Sequence, residues 1–284
     1  MMEDELYSHA EVAWCPGCGN FGIRSALRGA ILDLDREGVP MENVVIVTGI
    51  GQHGKMFDVM NINGFYGLHG RTIPIAAGIR LTNPELKVIC IAGDGDCYAE
   101  GLEHLIFGAK RNLDITVLVH DNRVYGLTTG QFTPTSPYHY KGRSTPTGTT
   151  EFPFNPLELM LTSGATFIGR GYSRNREQLQ ALIRESVLHP GFSFVDILQI
   201  CVTYNDLTDY YNARVYDWKE DDVRDFDAGC RKAKEWDYNS DAPIGLGVMF
   251  RREFPTFEDK NPVPAALKSE ERKALVAKIM NERG

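Results

Sequence analysis

Two short apolar runs constrain this chain most, because each stops abruptly in a cluster that no strand interior tolerates. KVICIAG (87–93) runs into GDGD (93–96), and DITVLVHDN (114–122) closes on an Asp-Asn pair. Unbroken apolar runs of this length suit strands buried on both faces, as in a parallel sheet covered by helices. The flanking segments agree. FGIRSALRGAILDLDRE (21–37) has apolar residues at helical spacing and is stopped by Gly38 and Pro40, and NVVIVTG (43–49) reads as a buried strand. Helices are expected at 72–82, ending at Asn83-Pro84, and at 98–110, with Leu102, Leu105, Ile106 and Ala109 on one face. Beyond a long polar stretch, 123–153, come a helix at 156–163, a strand in ATFIGRG and an amphipathic helix at 175–189. The last strand expected is GFSFVDILQI (191–200). The fold class this predicts is α/β, a mostly parallel sheet with helices on both faces.

Residues 1–204 are expected to form that domain. From about residue 203 aromatic and acidic residues dominate, and Pro262 and Pro264 precede a final charged helix. Residues 205–284 therefore read as a C-terminal extension, an arm packing on the domain or on a partner subunit. A net charge of -8 argues against nucleic acid and anionic lipid as partners. No apolar run approaches the roughly 20 residues that cross a bilayer. The start, MMEDELYSHAEVAW, lacks a basic stretch followed by an apolar one, so a cytoplasmic protein is expected. Six cysteines in such a chain are expected to be reduced. The CPGC run at 15–18 leaves three roles open: a redox dithiol, half a metal site, or plain thiols.

Parallel sheets gather ligands at the carboxyl ends of their strands, so GDGD and the Asp-Asn pair are expected to face one another. Asp94 and Asn122 offer oxygen ligands, joined by a backbone carbonyl near Val124, and this set suits Mg²⁺ shared with a phosphate. The glycines let backbone N–H groups approach a diphosphate, and a helix starting near Cys97 adds its positive end. Either motif alone is an ordinary turn; their placement after successive strands makes the signal. The GDGD cluster lacks the dinucleotide spacing GxGxxG, and no GxxxxGK[ST] occurs in the chain. The polar stretch 123–153 follows a strand directly and is long enough to be functional.

GDGD and DN, followed by YGLTTGQFTPTS, resemble the thiamine-diphosphate motif of the 2-oxoacid:ferredoxin oxidoreductases, in their β subunit. Five further blocks match in order: WCPGCGN (14–20), TGIGQHGK (48–55), GLHGRTIPIAAGIRLTNP (67–84), EGLEHLIFGAKRN (100–112) and GFSFVDILQICVTYN (191–205). The resemblance covers most of residues 11–204 and implies a thiamine-diphosphate-binding fold. It implies Asp94 and Asn122 as Mg²⁺ side-chain ligands, Val124 as the backbone ligand, and Gly95 with Asp96 as the pair cradling the diphosphate. Leu127 would support the bent cofactor, and His69 would lie near the thiazolium and substrate as a catalytic residue. Gly49, Ile50, Lys55, Gly93 and Thr128 fall in the same matching blocks as cofactor-binding positions. The glutamate that activates the aminopyrimidine is normally the partner α subunit's.

The family also implies a [4Fe–4S] cluster, for which thiolates are the natural ligands. Cys15, Cys18 and Cys201 match three of its four cysteines. The fourth normally lies in a GIGCSG-type block, where this chain has Gly51-Gln52-His53-Gly54. His53 is expected to complete the cluster, imidazole being a better iron ligand than an amide; a three-cysteine site with an open iron is the rival, and zinc would use similar residues. Cys90 reads as a core thiol. The activity implied is coenzyme A-dependent oxidative decarboxylation of a 2-oxoacid, or the reverse, with electrons passed to ferredoxin. The expected substrate is 2-oxoglutarate, with pyruvate the alternative, and some broad-substrate relatives carry a Lys where this chain has Thr129. A non-redox thiamine-diphosphate decarboxylase or carboligase would explain GDGD but leave WCPGCGN and Cys201 idle. A redox-inactive structural partner would explain the acidic tail but not both prospective metal ligands.

Overall fold

The computed structural model describes residues 6–219, 223–262 and 269–283. Eight strands form one sheet: β1 (Val44–Thr48), β2 (Asn63–Tyr66), β3 (Lys87–Gly93), β4 (Thr116–Asp121), β5 (Phe167–Tyr172), β6 (Ser193–Leu198), β7 (Val215–Asp217) and β8 (Ile244–Arg251). Their order across the sheet is β2-β1-β3-β4-β6-β5-β8-β7. The first six are parallel, β8 runs antiparallel to β5, and β7 lies parallel to β8 at the far edge. The apolar runs are strands because both their faces are covered. Val88, Cys90 and Ala92 of β3 join Ile73, Ala76, Leu105 and Ala109 on one side. Ile89 and Ile91 join Ile23, Leu27, Ile31, Leu179 and Ile183 on the other.

The helices lie close to their expected bounds: Asn20–Arg36, Thr72–Thr82, Pro156–Ser163 and Arg176–Leu188. One differs. The helix expected at 98–110 is Leu102–Arg111, preceded by a single wide π-type turn over Gly95–Glu100. Three strands escaped the sequence pattern. β2 is four exposed residues, NGFY, with no alternation to reveal it. GFSFVDILQI is not the last strand, because β7 and β8 follow it; β8 (IGLGVMFR) carries two glycines that dilute its pattern. Residues 205–251 thus extend the sheet itself. Their aromatic residues anchor there: Trp236 stacks on Tyr238 at 4.2 Å, and the Arg123 and Arg170 guanidiniums lie 5.5 and 5.2 Å from the Trp236 ring. A last helix, Ser269–Arg283, is present as expected, while Pro264 lies outside the described residues. No helix among the described residues is long and apolar enough to cross a membrane.

From β1 the chain steps outward to β2 and then returns to the other side of β1 as β3. This reversal opens a crevice at the carboxyl ends of β1 and β3, where open parallel sheets bind ligands.

Candidate functional site

The crevice holds a cleft of about 490 Å³. Its walls come from the turn after β1 (Ile50–His53), the GDGD run after β3, and residues 122–128 after β4. Asp96 ties these walls together. Its Oδ1 accepts the Gly70 N–H at 2.6 Å, and its Oδ2 lies 3.2 Å from His53 Nε2. Two glycines make this packing possible. A Cβ on Gly49 would sit 1.9 Å from Asp96 Oδ2, and one on Gly70, whose φ is +64°, would sit 2.3 Å from the Glu100 carbonyl. Both carboxylate oxygens of Asp96 are therefore engaged by protein, and Asp96 braces the GDGD turn against His53 and Gly70.

Behind the cleft lies a buried set of charges. Asp94, Asp121 and Asp196 are each at most 3% exposed, as are Arg123 and Arg170. Tyr98 and Tyr238 each donate to Asp196 at 2.6 Å. Thr135 Oγ1 lies 2.7 Å from Asp121 Oδ1 and 3.2 Å from Asp94 Oδ2. A hydroxyl has one hydrogen, so it cannot donate to both carboxylates. One of the two contacts needs a proton on a carboxyl, or a cation nearby that holds both acids ionised. Burial accordingly pushes the Asp94 carboxyl up to about 6 and Asp121 well above the usual range. Asp121 Oδ2 has no partner among the described residues. This uncompensated pair is what a divalent cation at Asp94 would relieve, and Asn122, at the neighbouring strand end, lines the same cleft.

Of the residues expected at the cofactor, Ile50, His69, Gly93, Asp94, Gly95, Asp96, Asn122, Val124, Leu127 and Thr128 all line the cleft. His69 stands 56% exposed at its mouth, with Nδ1 2.9 Å from Glu100 Oε2. Gly49 sits behind the wall against Asp96. Lys55 is the exception: it pairs with Asp58 at 3.3 Å and lines neither pocket described here. The cleft side chains of Asn20, His120 and Tyr125 were not anticipated. Asn20 faces His120 Nδ1 at 2.8 Å, and burial holds His120 neutral by lowering its pKa well below the usual value. Tyr125 donates to the Gly95 carbonyl at 3.3 Å. A polar residue ending the buried strand at His120 was the available signal. The spacing Gly49, Gly51, Gly54 does fit GxGxxG, but it opens onto a short helix, Met56–Val59, instead of the long one a dinucleotide site needs.

A second pocket, about 620 Å³, adjoins the first and shares Gln52, Asn122, Gly126 and Leu127 with it. Cys15, Cys18 and Cys201 converge there. Cys15 and Cys18 close one turn through a 3.0 Å backbone bond, which Gly17 permits at φ +86°. Two sulfurs already receive donors, Cys18 from Gln199 Nε2 and Cys15 from Thr203 Oγ1, both at 3.4 Å. Burial pushes the Cys18 thiol up to about 11, with Cys201 and Cys15 adding to the rise. Three clustered thiols become thiolates readily only when a soft cation offsets their charge.

His53 is not with them. It is buried in the other cleft, held by Asp96, with its ring packed under Gly51 and Gly93. The expectation that it completes the cysteine site is therefore corrected: Gly51 and Gly93 make room for its ring in the other cleft, where Asp96 holds it. Gln52 is the neighbour that lines the cysteine pocket.

Known proteins resemble this arrangement. The family described as thiamine pyrophosphate enzyme, C-terminal TPP binding domain, matches residues 49–197, and a family described as the C-terminal part of the pyruvate ferredoxin oxidoreductase beta subunit matches 201–265. The 2-oxoacid:ferredoxin oxidoreductase subunit beta of a Sulfolobus species is 39% identical over 282 residues, covering 93% of this chain and 91% of that one. The 2-oxoglutarate synthase subunit KorB of Methanothermobacter thermautotrophicus is 38% identical over 191 residues, 67% of this chain and 66% of its own. Among solved structures, the 2-oxoglutarate:ferredoxin oxidoreductase from Magnetococcus marinus, with 2-oxoglutarate, coenzyme A and succinyl-CoA bound, superposes with a TM-score of 0.86 at 30% identity. The match covers 97% of this chain and 96% of that one.

Proposed function

The chain belongs to the β subunits of the 2-oxoacid:ferredoxin oxidoreductases, and on that premise we propose that it acts with an α subunit on 2-oxoglutarate. The reaction is coenzyme A-dependent oxidative decarboxylation, or its reverse, with electrons leaving through a [4Fe–4S] cluster to ferredoxin. The observation that carries this reading is the shared wall between the two pockets: Gln52, Asn122, Gly126 and Leu127 line both. Electrons released in the cleft would cross one layer of side chains to reach the thiols. A non-redox thiamine enzyme would leave that convergence of Cys15, Cys18 and Cys201 without a purpose.

Thiamine diphosphate, when bound, supplies the electron sink that decarboxylation beside a ketone requires. Asp94, Asn122 and the Val124 carbonyl would hold Mg²⁺, the cation that the strained Asp94–Asp121 pair is suited to. Asp96 keeps the turns after β1 and β3 in register for a diphosphate. His69 has Nδ1 held by Glu100, which leaves Nε2 to take or give a proton at the substrate end. Leu127 lines both pockets with an apolar side chain, against which the bound cofactor would rest. Arg143, which donates to Thr129 at 2.8 Å beside the cleft-lining Thr128, is the cation we assign to the second carboxylate of 2-oxoglutarate.

The test is anaerobic turnover of the co-purified α and β chains. Acceptor reduction that requires both 2-oxoglutarate and coenzyme A, with iron bound to the β chain, is expected. Carbon dioxide release without acceptor reduction would replace this reading with the non-redox one.

A further inference from the structure

This inference rests on the electron-transfer reading and concerns the fourth corner of its metal site. The polar groups of the cysteine pocket can be accounted for in turn. Thr203 and Gln199 already donate to Cys15 and Cys18. Asn122 Oδ1 is taken by the Val124 N–H at 3.0 Å. Tyr204 lays its ring on Gly130. Gln52 remains. Its backbone is fixed, because its carbonyl accepts Trp14 Nε1 at 2.8 Å and the next residue, His53, is tied to Asp96. Its side-chain Oε1 is buried without a partner among the described residues. An acceptor enclosed in this way costs free energy that a ligand in the pocket would offset.

The geometry points to a metal site of three thiolates and one amide oxygen, in which Gln52 stands at the corner opposite Cys15, Cys18 and Cys201. An amide oxygen is neutral and hard, a poor match for the iron of a sulfide cluster. The fourth iron is therefore weakly held. Exchanging a thiolate for a neutral group also makes the cluster less negative and raises its potential.

The experiment uses the anaerobically co-purified holoenzyme as wild type, Gln52→Cys and Gln52→Ala. Each is titrated with ferricyanide and followed by iron analysis, EPR and a redox titration. One-electron oxidation of [4Fe–4S]²⁺ with loss of Fe²⁺ leaves [3Fe–4S]⁺, and ferricyanide becomes ferrocyanide. The wild type should lose about one iron in four and develop the three-iron signal. Gln52→Cys should keep its iron and shift to a lower potential, whereas Gln52→Ala should lose iron several-fold faster than wild type. Thermal melting and thiamine-diphosphate binding check that each variant is folded. Equal iron loss and equal potential in wild type and Gln52→Cys would overturn the assignment of Gln52. Absence of iron from all three proteins would overturn the electron-transfer reading as well.

Discussion

The two adjoining pockets are built on different principles. The cleft around Asp94 is made by the ends of three neighbouring central strands, β1, β3 and β4, and its acids are buried at 3% exposure or less. The sheet register sets their positions, and Arg123 and Arg170 behind them offset only part of the charge, on Asp121 and Asp196. The cysteine pocket lies outside the sheet. Cys15 is exposed, Cys18 sits just ahead of the first long helix, and Cys201 follows β6 in a bridge to Asn205. Here the backbone supplies two turns, and the proposed metal would do the rest. One pocket is preorganised by the fold and strained by its own charge; the other would be organised by its ligand.

The largest effect should come from separating them. Asp94→Asn removes the charged ligand proposed for Mg²⁺ and should weaken Mg²⁺-dependent thiamine-diphosphate binding roughly 100-fold, about 3 kcal/mol, while iron content stays unchanged. Cys18→Ser should do the reverse, losing iron and leaving cofactor affinity within about twofold. Calorimetry and iron analysis on both variants decide this. If either substitution empties both pockets, the two regions are one cooperative unit and the contrast fails.

Acid–base behaviour sharpens the contrast. Burial raises Asp94 to about 6, and Asp121 shifts in the same direction beside it. A carboxyl raised above its unfolded value binds more protons folded than unfolded. Its folded form is therefore favoured in acid, and that advantage is lost as pH climbs from about 4 through about 6. For Asp94 the swing is on the order of 3 kcal/mol, since each pKa unit is worth about 1.4 kcal/mol. Metal-free protein should thus melt at lower temperature near neutrality than in mild acid, and Asp94→Asn should flatten that dependence. Mg²⁺ needs the carboxylate, so cofactor binding should strengthen over the same range. A melting curve for the wild type that tracks Asp94→Asn at every pH would remove the charge strain from the account.

The same contrast explains what the sequence revealed. Asp94, Asn122 and their neighbours were legible because a buried strand that ends in an acid among glycines suits a ligand site better than a plain turn, and the sheet brings such ends together. The helices were equally legible from their apolar spacing. β8 was hidden by its glycines and by its place far along the chain, where pairing with β5 and β7 makes it a strand. Asp96 was expected at the diphosphate from the family resemblance; its contacts to Gly70 and His53 are long-range and could not be read from the sequence. His53 itself was misjudged on ligand chemistry. Imidazole is the better iron ligand, but the direction of its side chain is fixed by Gly51, Gly93 and Asp96, which are distant or unremarkable in the sequence.

The smallest expected effect probes the loop over the cleft. Arg143 is exposed, and among the described residues no carboxylate pairs with it; its guanidinium is held by Thr129 instead. Thr129 adopts φ +77°, so this turn stores some strain to present its hydroxyl there. A cation at a solvated rim contributes only about 1 kcal/mol to a carboxylate partner. Arg143→Ala should therefore lower kcat/KM for 2-oxoglutarate about fivefold relative to 2-oxobutyrate, which lacks the second carboxylate, and Arg143→Lys should recover part of it. A loss in KM with kcat unchanged would mark a ground-state contact. An equal fall for both acids would mean that Arg143 only steadies the loop, and the second carboxylate would then have to be read from the α subunit.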